Sequence, residues 1–405
     1  MSNRGFRRLL GVASIAVAAV TLVAAASGSP GGRTLPPNAS FYAPGPEPAA
    51  TQQVAKLNSQ GDRANANGIT AMENTPRAVW LTGGSPSEVR VLVQQTVLQS
   101  QAKRQIPVFV AYDVPARDCS QYSAGGAATG AAYEAWIDSV ARGLGSAKAV
   151  VLVEPDGLAL LPTDCGQPDT YGRVLLISYA AHALLADPNA SIYLDAGHSA
   201  WHSVGDMAAR LAAAGVLDLS GFFLNASNYR LTSYETKFGT WISKCIAFAN
   251  DAEEGGWRLG HYDWCASQYY SPFGPVDPND ISTWHYTDEW FDANLGHATP
   301  AAHFVIDTSR NGQGPWTAPS HPAGDPQEWC NPPGRGLGSR PTADTRVPLL
   351  DAYLWIKSPG ESDGQCYRWT SGPLDPVRNM QDPAAGAWFP QMALELVQNA
   401  QPPLG

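Results

Sequence analysis

Charged side chains are scarce in this sequence of 405 residues, and basic ones are scarcer than acidic ones. Only 15% of the residues are Asp, Glu, Lys or Arg, and the formal net charge is −10. Nucleic acids and anionic membranes attract proteins through clustered Lys and Arg. We therefore expect no nucleic acid and no membrane as a partner, and a neutral ligand fits the composition better.

A long uninterrupted apolar run occurs once, close to the N-terminus. Arg4, Arg7 and Arg8 precede an apolar stretch from Leu9 to about Ala26 that ends in small residues. This pattern predicts a signal peptide over residues 1–26 and a secreted, extracellular protein. The competing interpretation, a retained membrane anchor, lacks the basic flank that would stop transfer.

The sequence also lacks an internal repeat and a Pro/Thr-rich linker to a second module. Residues 27–50 are rich in Pro, Gly, Ser and Ala without periodicity, which predicts an extended lead-in. Residues 51–405 are interpreted as one large catalytic-type domain.

No pair of cysteines has the CxxC spacing of a zinc ribbon. An even number of cysteines in an exported protein favours disulfides over metal ligation, although six cysteines allow 15 pairings. The sequence therefore predicts three disulfides and leaves their connectivity open. The cysteines are Cys119, Cys165, Cys245, Cys265, Cys330 and Cys366.

Aromatic residues are abundant by contrast. The chain has 13 Trp and 15 Tyr, and many stand beside Gly, Pro or Asn in predicted loops. About half of them are expected to be core residues. Exposed rings among the remainder would suit weakly polar, flat ligands such as pyranose rings.

Short apolar runs alternate with segments of helical spacing along the domain. One helix start is marked by a capping box, with Ser85 at the N-cap, Pro86 next and Glu88 three residues on. Buried strands that alternate with helices indicate parallel βαβ units, and seven strands predict either a barrel or a doubly wound sheet. The runs are 78–81, 107–113, 149–156, 191–197, 221–227, 303–309 and 351–357.

Polar residues gather where these predicted strands end, which in a barrel would bring them together at its C-terminal mouth. A single strand-end carboxylate often only caps the following helix. Several together can keep one acid protonated, which hydrolysis of a glycosidic bond requires. The candidates are Asp113, Asp118, Glu154, Asp156, Asp195, Asp307, Glu361 and Asp363.

Seven segments in order resemble glycoside hydrolase family 6, the cellulase family of endoglucanases and cellobiohydrolases. They are YDVPARDCS (112–120), VLVEPDGLA (151–159), YLDAGHSAW (193–201), NASNY (225–229), VIDTSRNGQGPW (305–316), EWCNPPGRGLG (328–338) and LWIKSPGESDG (354–364). The resemblance implies a distorted seven-stranded (β/α) barrel, similar to a TIM barrel, with its site at the C-terminal mouth. It also implies inverting hydrolysis of β-1,4-glucosidic bonds.

The resemblance assigns catalytic roles by position. Asp156 would be the general acid, and Asp118 would raise its pKa and place the catalytic water. Asp363 would be the general base unless a water relay takes the proton. Asp195 would be a fourth carboxylate beside the site, and Tyr112 would crowd the sugar at the point of cleavage.

The same resemblance implies binding residues and disulfide pairs. Trp80, Trp201 and Trp329 would be stacking platforms, and the hydrogen-bonding positions would be His198, Asn225, Asn228, Lys357 and Glu361. Cys119 would pair with Cys165 and Cys330 with Cys366, which leaves Cys245 with Cys265. The expected partner is a β-1,4-glucan polysaccharide or cello-oligosaccharide, with no cofactor and no metal, and the protein is expected to be monomeric.

Loop lengths bear on the mode of attack, because short loops make an open cleft in this family and long ones a tunnel. The compact loop 118–133 favours an endoglucanase, whereas the long segments 230–300 and 364–388 keep a cellobiohydrolase as the alternative. The family's loop serine aligns with Ala124, beside Ser123, so the water relay is expected to differ.

Three rival functions remain from other classes. AGHSAW resembles the nucleophile elbow of a serine esterase around Ser199, but Trp201 stands where that turn needs a small residue. His198 and His202 have the spacing of metal ligands without an evident third ligand. A secreted carbohydrate-binding protein without activity would be expected to lack the acid, which is present here.

Overall fold

The computed structural model describes residues 34–318, 327–368 and 370–404. The predicted signal peptide and residues 27–33 lie outside the described residues. The α-helices in the described ranges are α1 (Pro48–Ser59), α2 (Arg63–Glu73), α3 (Pro86–Ala102), α4 (Gly130–Leu144), α5 (Arg173–Leu184), α6 (Val204–Ala213), α7 (Thr232–Ala249), α8 (His285–Asn294) and α9 (Pro390–Gln398). The strands there are β1 (Val79–Leu81), β2 (Val108–Ala111), β3 (Ala149–Val153), β4 (Ala190–Asp195), β5 (Gly221–Leu224), β6 (His303–Asp307) and β7 (Leu350–Leu354).

The strands of the described chain form one seven-stranded sheet in the order in which they occur in the sequence. Every neighbouring pair is parallel. A doubly wound sheet would place β1 inside the sheet, so that alternative is wrong. The sheet curls until its edges meet, where Ala78 N donates to Trp355 O at 2.9 Å. The predicted distorted seven-stranded barrel is confirmed.

Both faces of the barrel strands are buried, as expected for parallel strands under helices. Val110, Leu152, Tyr193 and Phe223 point into the barrel and pack together. The alternating residues pack outwards on the helices in a second, larger cluster. Helix α3 begins with the predicted capping box, in which Ser85 Oγ accepts from Glu88 N.

Part of the predicted lead-in packs on the barrel. Phe41 is buried and forms a parallel bridge with Ile106, just before β2. Helix α1 begins at Pro48, inside the predicted lead-in, and contacts α2, which contacts α9 in turn. These contacts place the described residues 34–50 on the folded body.

Two of the three disulfides connect loops at the mouth, and the third joins helix α7 to the segment that follows it. They join Cys119 to Cys165, Cys245 to Cys265 and Cys330 to Cys366. These are the pairs that the resemblance implies. In the described ranges, no helix has both the length and the apolar character needed to cross a membrane.

Candidate active site

A cavity of about 370 Å³ lies at the C-terminal ends of the strands. Carboxylates and aromatic rings from strands on opposite sides of the barrel converge on it. The lining residues are Trp80, Tyr112, Asp118, Gln121, Ser123, Pro155, Asp156, Leu160, His198, Ala200, Trp201, Ala226, Ser227, Asn228, Trp329, Lys357 and Asp363. Of the thirteen catalytic and binding residues predicted from the sequence, ten therefore line one cavity.

Asp156 stands on a tight turn directly after β3. Both Glu154 and Asp156 have positive φ angles, 53° and 63°, which bend the chain sharply into the mouth. Burial raises the pKa of Asp156 well above its usual range, and the negative charges of Asp195, Asp118 and Asp363 raise it further. Asp156 can therefore remain protonated where an ordinary Asp would be ionised.

Asp195 lies beneath this turn at the end of β4 and does not line the cavity. Its carboxylate accepts hydrogen bonds from Ala159 N at 3.0 Å and from Gly197 N at 3.2 Å. Burial raises the pKa of Asp195 to about 6, although these amides oppose the shift. Asp195 thus supports the turn that carries Asp156 and supplies negative charge beside it.

Asp118 approaches Asp156 from the loop after β2. Its Oδ2 accepts from Ser123 N at 2.7 Å, which closes the loop on itself. Burial raises the pKa of Asp118, whereas the Ser123 amide and the Arg117 charge lower it. Asp118 raises the pKa of Asp156 as the resemblance implies, but burial and Asp195 contribute more.

Asp363 is held by a buried arginine. Arg310 Nη2 lies 2.9 Å from Oδ1, and Arg310 Nη1 donates to Oδ2 at 3.0 Å. Oδ2 also accepts from Tyr229 Oη at 3.1 Å and from Asn331 N at 3.0 Å. The Oδ2 lone pairs are thus fully engaged, and Oδ1 keeps the remaining capacity to accept a proton.

Tyr112 and Trp80 form one wall of the cavity. Their rings meet edge to face, with centroids 5.4 Å apart, and the Arg117 guanidinium lies over the Tyr112 ring at 4.6 Å. Trp80 Nε1 donates to Ile356 O at 2.8 Å, which fixes the indole across the junction of β1 and β7. Burial raises the pKa of Tyr112 well above its usual value, so its hydroxyl stays protonated.

His198 and Trp201 form the opposite wall, after β4. Burial lowers the pKa of His198 to about 3, and the charge of Arg230 lowers it further. His198 is therefore neutral, and because its Nδ1 accepts from Ala200 N at 3.2 Å, its proton is on Nε2. The Trp201 ring stacks on the His202 ring, with centroids 5.7 Å apart.

Lys357 and Glu361 form an ion pair at 3.7 Å after β7. Lys357 lines the cavity and contacts Ser362 O at 3.3 Å. Glu361 does not line it, and burial raises its pKa while the Lys357 charge lowers it. Glu361 therefore lies outside the cavity and is paired with Lys357, which lines it.

Asn225 does not line the cavity, although a role in binding the glucan was expected. Its side chain is buried and donates to Asp307 O at 2.9 Å and Arg230 O at 3.3 Å. Its Oδ1 accepts from Arg230 N at 3.0 Å. Asn225 holds the loop after β5, and its neighbour Asn228 lines the cavity.

The residues that hold Asp363 and those of part of the cavity wall were not predicted from the sequence. Tyr229, Arg310 and Asn331 each lie in a quoted motif, but only their contacts assign them to Asp363. Gln121 and Ser227 also line the cavity without any distinctive sequence signal.

The structure does not favour the esterase or the metal hydrolase. Ser199 is buried, and its amide donates to Glu235 rather than forming part of an exposed turn. Both nitrogens of His202 are engaged, by Asp206 and by Ala159 O. Among the described residues, one cluster has metal-like spacing, but its Cys366 belongs to a disulfide and its Asp375 pairs with Arg368.

Fold and mouth together define a parallel α/β barrel with an acidic, aromatic-lined site. A family model described as "Glycosyl hydrolases family 6" matches residues 37–400. The chain belongs to glycosyl hydrolase family 6, and the family expected from the motifs is confirmed.

Individual relatives include both endoglucanases and cellobiohydrolases. Endoglucanase A of Thermobispora bispora is 33% identical over 333 residues, 81% of this chain and 56% of that protein. A 1,4-beta-D-glucan cellobiohydrolase of Podospora anserina is 31% identical over 325 residues, 73% of this chain and 58% of that protein. The matches thus span little more than half of each relative.

A solved structure matches more completely. The endoglucanase Cel6 of Mycobacterium tuberculosis, in complex with methyl-cellobiosyl-4-deoxy-4-thio-beta-D-cellobioside, is 36% identical to this chain. Its TM-score is 0.65, and the match covers 92% of this chain and 99% of that one.

The charge of Asp195 gives a direct test of the electrostatics. We expect Asp195→Asn to lower the pKa of Asp156, because a negative neighbour is removed while a hydrogen-bond acceptor remains. Carboxyl-carbon NMR titration of Asp156 measures this. The exposed Asp218, replaced by Asn, is the control. An unchanged titration of Asp156 in Asp195→Asn would contradict the assigned cause.

Proposed function

We propose that the chain is a secreted endo-hydrolase of β-1,4-glucans that acts with inversion and as a monomer. The observation that carries the proposal is the carboxyl of Asp156, held protonated by burial and by three carboxylates at the mouth of the barrel. Glycosidic hydrolysis needs an acid of this kind.

Aromatic rings on opposite sides of the cavity support a glucan as the ligand. Trp80 and Trp201 line its two walls, and Trp329 lines it near Tyr122, with ring centroids 5.9 Å apart. Indole faces bury the apolar C–H surface of pyranose rings. The neutral imidazole of His198 and the side chains of Asn228 and Lys357 supply polar groups that can bind the hydroxyls of the sugar. The complex of the M. tuberculosis endoglucanase with a thio-linked cellobioside agrees with this class of ligand.

In the proposed mechanism Asp156 donates its proton to the glycosidic oxygen as the bond breaks. A water molecule attacks the anomeric carbon from the other face, which inverts the configuration. The protonated hydroxyl of Tyr112 lies beside the reacting sugar and favours a distorted ring. Asp118 lines the same cavity, where its Oδ2 accepts from Ser123 N, and its carboxylate orients the attacking water.

The proton of that water goes to Asp363 either directly or through further water. Only Oδ1 of Asp363 retains capacity to accept a proton, because Arg310, Tyr229 and Asn331 engage Oδ2. Ser123, whose amide binds Asp118, lines the same cavity.

Three observations support secretion and endo attack. Three disulfides are typical of proteins in oxidising compartments. Named endoglucanases occur among the relatives at 33% identity, and the loop between Asp118 and Tyr133 is compact. A cellobiohydrolase is the alternative, favoured by the Podospora anserina relative.

The acid is tested by Asp156→Asn, which keeps the shape of the side chain but cannot donate the proton. We expect kcat on carboxymethylcellulose to fall about 10²–10⁴-fold, the usual contribution of a general acid. Wild-type activity should decline as pH rises through the raised pKa of Asp156, because the acid must be protonated. Reducing-sugar release measures both, with Asp218→Asn as the control. Equal release by wild type and Asp156→Asn would refute the role.

Inversion is tested by proton NMR of the first products. Hydrolysis of a β-linked cello-oligosaccharide by an inverting enzyme yields the α anomer first. We expect the α anomeric signal to appear before mutarotation brings the two anomers to equilibrium. An initial β signal would indicate retention and would contradict the proposed mechanism.

Endo attack is tested by comparing viscosity with reducing ends on carboxymethylcellulose. Internal cleavage shortens chains quickly, so we expect a steep loss of viscosity while few reducing ends have formed. Slow viscosity loss with release of cellobiose would instead identify a cellobiohydrolase.

A further inference from the structure

The segment between α7 and α8 exposes aromatic rings near the mouth, on the loop 269–276. Phe273 is 86% exposed, more than any other large hydrophobic side chain in the described residues, and Tyr269 is 48% exposed. The Phe273 ring meets Tyr286 edge to face, with centroids 5.9 Å apart. Exposing the apolar surface of a ring of this size to water is unfavourable. A ligand that covers the ring would remove that surface from water and gain binding free energy.

The residues that flank the loop 269–276 on both sides are hydrogen-bonded to loops that line the cavity. Gln268 Nε2 donates to Ser199 O at 2.6 Å and to His202 O at 3.0 Å, the residues on either side of the Trp201 turn. At the other end, Asn279 Oδ1 accepts from Arg230 Nη2 at 3.0 Å. The loop 269–276 therefore begins beside Trp201 and returns beside the loop that carries Asn228.

The base of the loop is fixed before any ligand arrives. Cys265 is bonded to Cys245 on α7, and Ser267 Oγ accepts from Val204 N at 2.9 Å. Thr287 Oγ1 donates to Ser267 O at 2.7 Å from helix α8. A preformed base lowers the ordering cost of binding.

The chemistry of the loop selects a neutral ligand. Residues 264–276, WCASQYYSPFGPV, contain no charged side chain. Exposed Tyr and Phe rings beside small polar groups match the apolar faces and hydroxyls of pyranose rings. A polyanion or an anionic membrane would require basic residues that this loop lacks.

We propose that loop 269–276 binds the β-1,4-glucan chain where it extends beyond Trp201, as an additional subsite continuous with the cavity. This inference rests on the proposed function. Because the loop contacts only the outer part of the chain, it contributes to binding of long substrates and leaves the chemical step unchanged.

The test compares a long neutral glucan with a short one. We expect Phe273→Ala and Tyr269→Ala each to raise KM for hydroxyethylcellulose about three- to tenfold, the value of one aromatic contact. Values of kcat on the polymer, and both constants on cellotetraose, should stay as in wild type. Phe273→Tyr keeps the ring and should restore the wild-type KM.

Leu98→Ala is the matched control, because Leu98 is 65% exposed on helix α3. An unchanged KM for the polymer in both loop variants, with active wild type, would overturn the subsite and leave the proposed function intact. So would a shift from dimer to monomer in Phe273→Ala by sedimentation with unchanged kinetics, since the ring would then bind a second copy. Inactivity of wild type on every β-1,4-glucan would refute the proposed function itself.

Discussion

Buried carboxylates at the strand ends hold the mouth of this barrel together by accepting backbone N–H groups from neighbouring loops. Glu154, after β3, accepts from the amides of Asp113 and Val114, which follow β2. Asp307, at the end of β6, accepts from four amides in three loops, those of Ser227, Ser309, Ile356 and Lys357. Burying a carboxylate is costly, and hydrogen bonds of this kind offset the cost. These bonds fix the starts of the loops that follow β2, β5, β6 and β7.

The same carboxylates set the electrostatics of the site. Asp195 fixes the turn of Asp156 through two amides and also raises the pKa of Asp156 with its charge. Asp363 is positioned in a different way, by the guanidinium of Arg310. One carboxyl of the mouth thus holds a proton, while another is fixed in place by an arginine. Burial and pairing, rather than residue type, separate the two roles.

Much of this arrangement was predictable, because it depends on patterns within short segments. Apolar runs ending in Asp156, Asp195 and Asp307 indicated parallel strands with polar ends, and the motifs indicated the family. Side-chain direction was not predictable: Asn225 belongs to a motif but turns away from the cavity to bind backbone groups. The cluster around Asp363 joins Tyr229 across 134 positions, and no local pattern encodes such a contact.

The junction of β1 and β7 lies on one side of the barrel mouth. In the described chain these edge strands meet through Ala78 and Trp355 rather than through a paired ladder, and Trp80 bridges the junction to Ile356. Trp201, after the central strand β4, faces it from the other side of the cavity. A linear polymer that crosses the mouth would therefore meet the indole of Trp80 on one side of the cavity and that of Trp201 on the other, so two stacking contacts would hold it at both ends.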